Sequence, residues 1–355
     1  MSNDILLDII DLRTYVHMRA GTVRAVDGAS FSIRRGEALG LVGESGSGKS
    51  MTCQAIMRVE LRPAAVIEGG QILLDGENLL DKSPEEMQQV RGRRIGMILQ
   101  DPLNSLNPVL TIGNQLIEAL RLSQPGAGKA DLRRQAQAAL ERVGITNAAS
   151  RLDSYPFEFS GGMCQRVTAA MAVARHPALL IADEPTTALD VTTQARFLGL
   201  LDQLRREEGM SLLLVTHDLG IVAETCDRVA VMYAGRVVET GITAQILREP
   251  RHPYTRALMF AVPHLDGPRT RRLYQIPGEP PSVRAPTVGC RFAPRCDQAA
   301  DICRAKYPPT VYYVNGDTVA CWLHVPDAAA HADATNTVTL QRLNSVATGV
   351  EGCGK

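Results

Sequence analysis

The chain has 355 residues, with 38 Lys and Arg balanced against 38 Asp and Glu. Apolar residues make up 45% and charged residues 21%, ordinary values for a globular protein of about two domains, so wholesale disorder is excluded. Zero net charge argues against bulk adhesion to DNA or anionic lipid, and 4% aromatic residues leave few stacking platforms for single strands, so no nucleic-acid partner is expected.

No run approaches the ~20 apolar residues of a spanning helix. The opening MSNDILLDIIDL carries acids where a secretory signal has a basic flank. A cytosolic chain is therefore expected, and its eight cysteines read as thiols or metal ligands rather than disulfides.

In chain order, the apolar run 37–42 enters a glycine-rich loop and is followed by a helical pattern over 49–58. Further β-like runs lie at 72–74, 95–99, 179–182, 211–215 and 229–233. Such uninterrupted apolar runs fit strands covered on both faces, as in the parallel sheet of an α/β domain. Between Pro102 and Val167 helix formers dominate, as over 130–143, which predicts a mostly helical insertion. Prolines and glycines mark 264–289 as an extended connector, a cysteine cluster spans 290–321, and the Ala-, Thr- and Asn-rich end from Asp327 reads as a mobile tail. Arg269, Arg271 and Arg272 read as a solvated face of the connector.

The loop Gly43-Glu44-Ser45-Gly46-Ser47-Gly48-Lys49-Ser50 fits G-x-x-x-x-G-K-[ST] and sits between a strand and a helix. Glycine lets successive N–H groups turn inward to cradle phosphate oxygens, and the helix start adds its positive dipole end. Lys49 supplies a charge to the β- and γ-phosphates, and Ser50 a hydroxyl to Mg²⁺. Gly43, Ser45, Gly46, Ser47, Gly48, Lys49, Ser50 and Met51 are thus candidate ATP contacts. The buried-type strand 178–182 ends in Asp183 and Glu184. Two acids at a strand end are common solvated caps, but beside a phosphate loop they divide labour. Asp183 would orient Mg²⁺, and Glu184 would polarise the attacking water.

Four further features narrow the choice: Gln100 opening Q-D-P, Ser160-Gly161-Gly162-Met163 before a helix, Ala188-Leu189-Asp190 after Glu184, and His217 ending the next strand. In this order, from about Leu7 to Gly241, they resemble the ATP-binding cassette family of transporter ATPases. The resemblance implies a phosphate-loop ATPase core of α/β class with an inserted helical subdomain. It implies that Tyr15 stacks on adenine, that Gln100 touches Mg²⁺ and senses the γ-phosphate, and that His217 contacts the γ-phosphate. It implies that Ser160, Gly161, Gly162 and Met163 close over ATP held by a partner subunit, with Asp190 at the same interface. The family's L-S-G-G-Q has Phe159 for the leucine and Met163 for the glutamine here, and Cys164 follows where a polar or basic residue is frequent. Soluble cassette proteins acting on ribosomes or DNA are the alternative. They usually carry two cassettes or a long coiled-coil insertion, and this chain has one phosphate loop and no extended heptad run.

Gln100-Asp101-Pro102-Leu103-Asn104-Ser105-Leu106-Asn107-Pro108, His252-Pro253-Tyr254-Thr255 and Ile276-Pro277-Gly278-Glu279-Pro280-Pro281 resemble the ATPase subunits of bacterial dipeptide, oligopeptide and nickel importers. This implies an ATPase domain over 5–250 with a helical subdomain near 101–170, a small Cys-rich C-terminal extension over 251–325, and a tail over 326–355. It implies a second, paralogous ATPase subunit, two permeases, an extracytoplasmic binding protein, and a seat on the cytoplasmic face of the inner membrane. Cys290, Cys296, Cys303 and Cys321 are separated by five, six and seventeen residues. Buried thiols are the plain reading; four thiolates on a segment with little core of its own also suit a zinc or iron–sulfur staple. The resemblance implies a [4Fe–4S] cluster. Cys53, Cys164, Cys226 and Cys353 read as ordinary residues.

Overall fold

In the computed structural model, which describes residues 4–59, 64–101, 105–122, 124, 126–187, 189–262, 274–282, 284 and 288–326, the chain opens with two long strands. These are β1 (Ile5–Met18) and β2 (Gly21–Arg34). The strand β3 (Ala38–Val42) and the helix Lys49–Met57 follow, then β4 (Ala65–Leu74) and β5 (Glu77–Asn78). Strands β1, β2, β4 and β5 form an antiparallel sheet in the order β2-β1-β4-β5. This sheet differs from a simple strand–helix alternation over the first third. Its strands alternate only in part, because register shifts flank Leu12 and Asp11 takes φ 48°. Such bulges break the two-residue period by which a half-buried strand is read.

The main sheet adds β6 (Ile95–Ile98), β7 (Leu179–Asp183), β8 (Ser211–Thr216), β9 (Arg228–Tyr233), β10 (Arg236–Ile242), β11 (Val311–Tyr312) and β12 (Thr318–Val319). Its order is β11-β12-β10-β9-β3-β8-β7-β6. Strands β9, β3, β8, β7 and β6 run parallel, whereas β10 and β12 pair antiparallel. Every residue of β3, β7 and β8 is buried, which is why these strands read as continuous apolar runs. Leu39, Leu41, Ile181, Leu213 and Val215 pack on one face against the helix Lys49–Met57 and the antiparallel sheet. Val42, Leu180, Ala182, Leu212 and Leu214 pack on the other face with Leu116, Leu132, Leu140 and Val167.

Those last residues belong to the helices Ile112–Arg121, Lys129–Arg142 and Gly161–Val173. Among the described residues from 105 to 173 there is no strand. Near the far end, Val319 pairs with Glu239 and Thr318 with Thr240. The cysteine-bearing segment therefore lengthens the main sheet at its edge. The arginines at 269, 271 and 272, most of the connector, Cys353 and the tail from 327 lie outside the described residues.

Candidate active site

Strand β3 delivers the chain into the loop 43–48, and the helix Lys49–Met57 rises from it. The loop is pressed against its neighbours. A Cβ at Gly43 would lie 2.1 Å from the Met232 carbonyl oxygen, and one at Gly48 (φ +106°) 2.3 Å from that of Ala25. Glycine alone fits both places. The Gly235 N–H donates to the Ser47 carbonyl at 2.8 Å, and the Asp27 N–H to that of Gly235 at 2.8 Å. Ser45 and Gly46 are exposed at the loop's tip, and Met51 packs partly against the core. Lys49 is buried, and its Nζ donates to the carbonyls of Gly43 at 2.9 Å and Glu44 at 3.1 Å. Burial lowers the Lys49 pKa, opposed by the charges of Glu184 and Asp183.

The sheet register gathers the acids. Strand β6 lies beside β7, with Ile98 opposite Ala182, so Gln100 emerges next to the acids that end β7. Asp183 pairs with Val215 on β8, so His217 emerges on the other side. Ser50 Oγ donates to Asp183 Oδ1 at 3.0 Å. Burial raises the Asp183 pKa, the Glu184 charge adds to this, and the Ser50 hydrogen bond and Lys49 oppose it. Glu184 turns out of the strand with φ +44°, its N–H held by the Val215 carbonyl at 2.9 Å. A left-handed backbone at a non-glycine residue is costly and is a habit of functional sites. Gln100 Nε2 donates to Glu184 Oε2 at 3.2 Å, and His217 Nδ1 stands 3.5 Å from Oε1. Thr187 Oγ1 adds a donor 3.3 Å from Oε2. No motif pointed to Thr187; its only signal was a hydroxyl three residues beyond the acid.

Lys49, Ser50, Gln100, Asp183, Glu184 and His217 thus meet in one place. Tyr15 stands apart on β1. Its hydroxyl donates to Asp27 Oδ1 at 2.6 Å, and the Arg24 guanidinium lies 5.6 Å from its ring centroid. Asp27 joins it to the loop through Gly235 and Ser47. Burial alone would raise the Asp27 pKa, but the Tyr15 hydrogen bond and the arginines at 291, 236 and 24 hold it below its ordinary value.

Ser160, Gly161, Gly162 and Asp190 form a second group. Ser160 caps the helix Gly161–Val173, accepting from the Met163 N–H at 3.3 Å, and Ser160, Gly161 and Asp190 are exposed. Asp190 caps the helix Val191–Glu208, accepting from Thr193 N at 3.0 Å and Thr193 Oγ1 at 2.7 Å. The two helix starts adjoin. A Cβ at Gly162 would lie 3.0 Å from Thr193 Cγ2, and Gln165 donates to the Pro185 carbonyl. Ala188 lies outside the described residues.

Cys290, Cys296, Cys303 and Cys321 line one cavity of about 20 Å³, with His252 and Trp322. Burial raises the pKa of Cys290 and Cys296 and takes Cys321 to about 11. Among the described residues no group of three or more His, Cys, Asp or Glu is placed to hold a metal ion. The expected [4Fe–4S] cluster therefore finds no support in the site as it stands. Ligation needs thiolates, and burial among other sulfurs favours the protonated form. Cys53, Cys164 and Cys226 are buried.

Residues 26–187 match the family model described as ABC transporter, and residues 238–303 that of the oligopeptide/dipeptide transporter, C-terminal region. A probable peptide ABC transporter ATP-binding protein of Sinorhizobium fredii, y4tR, is 48% identical over 90% of this chain and 95% of its own. The oligopeptide transport ATP-binding protein OppD of Bacillus subtilis is 46% identical over 91% of this chain and 90% of its own. The dipeptide transport ATP-binding protein DppD of Escherichia coli is 45% identical over 91% and 98%. A dimeric ATP-binding cassette, MJ0796, in a post-hydrolysis state bound to ADP and Pi, matches with a TM-score of 0.60 at 25% identity, over 67% of this chain and 98% of that one. Likeness of this degree along most of its length makes the chain a member of the ABC transporter family, an ATP-binding subunit of the branch that carries the oligopeptide/dipeptide transporter C-terminal region.

Proposed function

We propose that this ATPase subunit powers the import of di- or oligopeptides, pairing with a second, paralogous ATPase subunit and docking on two permeases served by an extracytoplasmic binding protein. The observation that carries the catalytic part is the Glu184 carboxylate held between Gln100 and His217, beside the Ser50–Asp183 pair. The names of the relatives, peptide or dipeptide transport and import, favour this cargo over work on ribosomes or DNA. Among the described residues no helix is long and apolar enough to cross a membrane. Docking on permeases at the cytoplasmic face of the inner membrane would supply the seat.

Ser50, Asp183 and Gln100 offer oxygens only, which suits Mg²⁺. When bound, Mg²⁺ would neutralise phosphate charge. The loop N–H groups of 45–50 would cradle the β- and γ-phosphates. Lys49 would turn its ammonium from the loop carbonyls to these oxygens. Glu184 would orient the attacking water and take up its proton, while His217 and Gln100 would fix the carboxylate and the γ-phosphate in line. Tyr15 would cover the adenine face. Ser160, Gly161, Gly162 and Met163 of one subunit, with Asp190, would lid the ATP held by the other, so that nucleotide joins the pair and hydrolysis releases it.

The domains would be an ATPase over 5–250 with its helical part near 101–170, a Cys-rich peptide-transporter extension over 251–325, and a tail over 326–355. Cys290, Cys296, Cys303 and Cys321 share one cavity, and a [4Fe–4S] cluster held there by their thiolates would staple the extension. Iron and acid-labile sulfide assays on anaerobically purified protein test it; protein free of iron and zinc rejects it. Cargo is tested by reconstitution with the permeases. Peptide-loaded binding protein is expected to stimulate ATP turnover, and stimulation by nickel alone overturns the peptide assignment.

A further inference from the structure

The cysteine-bearing segment reaches back to the phosphate loop through the side chain of Arg295. Arg295 ends the short turn Ala293–Arg295, immediately before Cys296. Its side chain is only 5% exposed and grips Glu44 with both prongs. Nη1 donates to Oε2 at 2.8 Å, and Nη2 to Oε1 at 3.1 Å. The same guanidinium donates to the Tyr233 hydroxyl at 3.3 Å and to the carbonyls of Pro277 at 2.9 Å and Ile276 at 3.4 Å. Its anchorage therefore does not depend on Glu44 alone.

Glu44 holds the first free position of the phosphate loop, where the motif accepts any residue. Its N–H donates to the Tyr254 hydroxyl at 2.9 Å, and its carbonyl receives Lys49 Nζ at 3.1 Å. A carboxylate in a loop that must hold a triphosphate repels its ligand unless its charge is matched. Arg295 matches it with the planar, two-pronged geometry in which arginine binds carboxylates best. Arg291, next to Cys290, pairs with Asp27, the partner of Tyr15, through Nη2 alone, while its Nη1 donates to the Ala234 carbonyl.

We infer that Arg295 is a positioning residue of the ATP site: it neutralises Glu44 and steadies the loop on which Lys49 rests, so that the C-terminal extension sets ATP affinity through one ion pair. This rests on the nucleotide-site reading above. It adds a residue outside the phosphate-loop, signature and switch motifs, in a segment that the cassette core does not include.

The test measures ATP binding to the full chain, the KM for ATP and kcat in the assembled transporter, and thermal unfolding. Arg295→Gln is expected to raise the KM for ATP and the Kd about five- to tenfold with kcat within about twofold, because ground-state binding is what the pair supports. Arg295→Lys keeps the charge and loses the fork, and should fall between. In a Glu44→Gln background there is no charge to neutralise, and Arg295→Gln should cost less than about twofold. An unchanged KM in Arg295→Gln, or the same loss in both backgrounds, overturns the inference. If Arg295→Gln does not fold, Arg295→Lys measured in both backgrounds decides on the same criterion. Lys49→Ala separates the two readings. Wild-type ATP binding in Lys49→Ala removes the nucleotide site itself. Lost binding there, with Arg295→Gln unaffected, removes only the role of Arg295.

Discussion

Ser50 Oγ donates to Asp183 Oδ1 at 3.0 Å although the two residues are 133 positions apart. The bond ties the start of the helix after the phosphate loop to the end of β7. It leaves two oxygens side by side where a hard cation is needed. Burial raises the Asp183 pKa, so a cation there offsets the cost of ionising the carboxyl. Asp183→Asn is expected to lower turnover by about a hundredfold or more and to shift the Mg²⁺ requirement upward, with ATP binding in chelator retained. A magnesium titration of turnover in this variant checks it; an unaltered curve removes Asp183 from the cation site.

Glu184→Gln keeps the shape of the side chain and its contact with Gln100, and removes the charge. Turnover should fall about 10²- to 10⁴-fold while ATP still binds, trapping the closed pair of subunits. Single-turnover hydrolysis and size-exclusion chromatography with ATP read both effects. Near-normal turnover would refute the assignment.

Gly161 is exposed, and a Cβ placed on it meets nothing within 4 Å. Gly161→Asp should therefore fold with an unchanged melting temperature and bind ATP normally. It should abolish ATP-dependent pairing and turnover, because it puts a negative charge where the partner's γ-phosphate would sit. Retained pairing counts against the lid role.

His252 is fully buried. Its Nδ1 caps the helix Pro253–Ala261 by accepting from the Tyr254 N–H at 3.0 Å. Burial lowers its pKa from 6.5 to about 3, with His324 adding to the shift. In this window the unfolded chain binds a proton that the native chain refuses, so stability is full above the unfolded pKa and falls with acidification toward the folded one. Between about pH 7.5 and pH 5.5 this residue alone should cost about 1.4 kcal/mol. His252→Asn keeps a capping side chain without titrating, and its unfolding should lose that part of the pH slope. An identical slope in both proteins disproves the assignment.

The sequence alone marked the candidate site: its residues showed a glycine loop with Lys49 and Ser50 and a strand ending in Asp183 and Glu184, and the family resemblance added roles for Gln100 and His217 at neighbouring strand ends. These were legible because buried parallel strands are short continuous apolar runs, and polar residues stand where the runs stop. The four-stranded antiparallel sheet was not legible, since the bulges around Leu12 scramble the period of β1. Nor could spacing decide what Cys290 to Cys321 do, because thiolate or thiol depends on burial and sulfur geometry. Tertiary structure alone brought Arg295 onto Glu44 across 251 positions. An open motif position has no preferred residue until folding sets a charge beside it. Local patterning thus marked the candidate groups, and the order of strands in the sheet chose their neighbours.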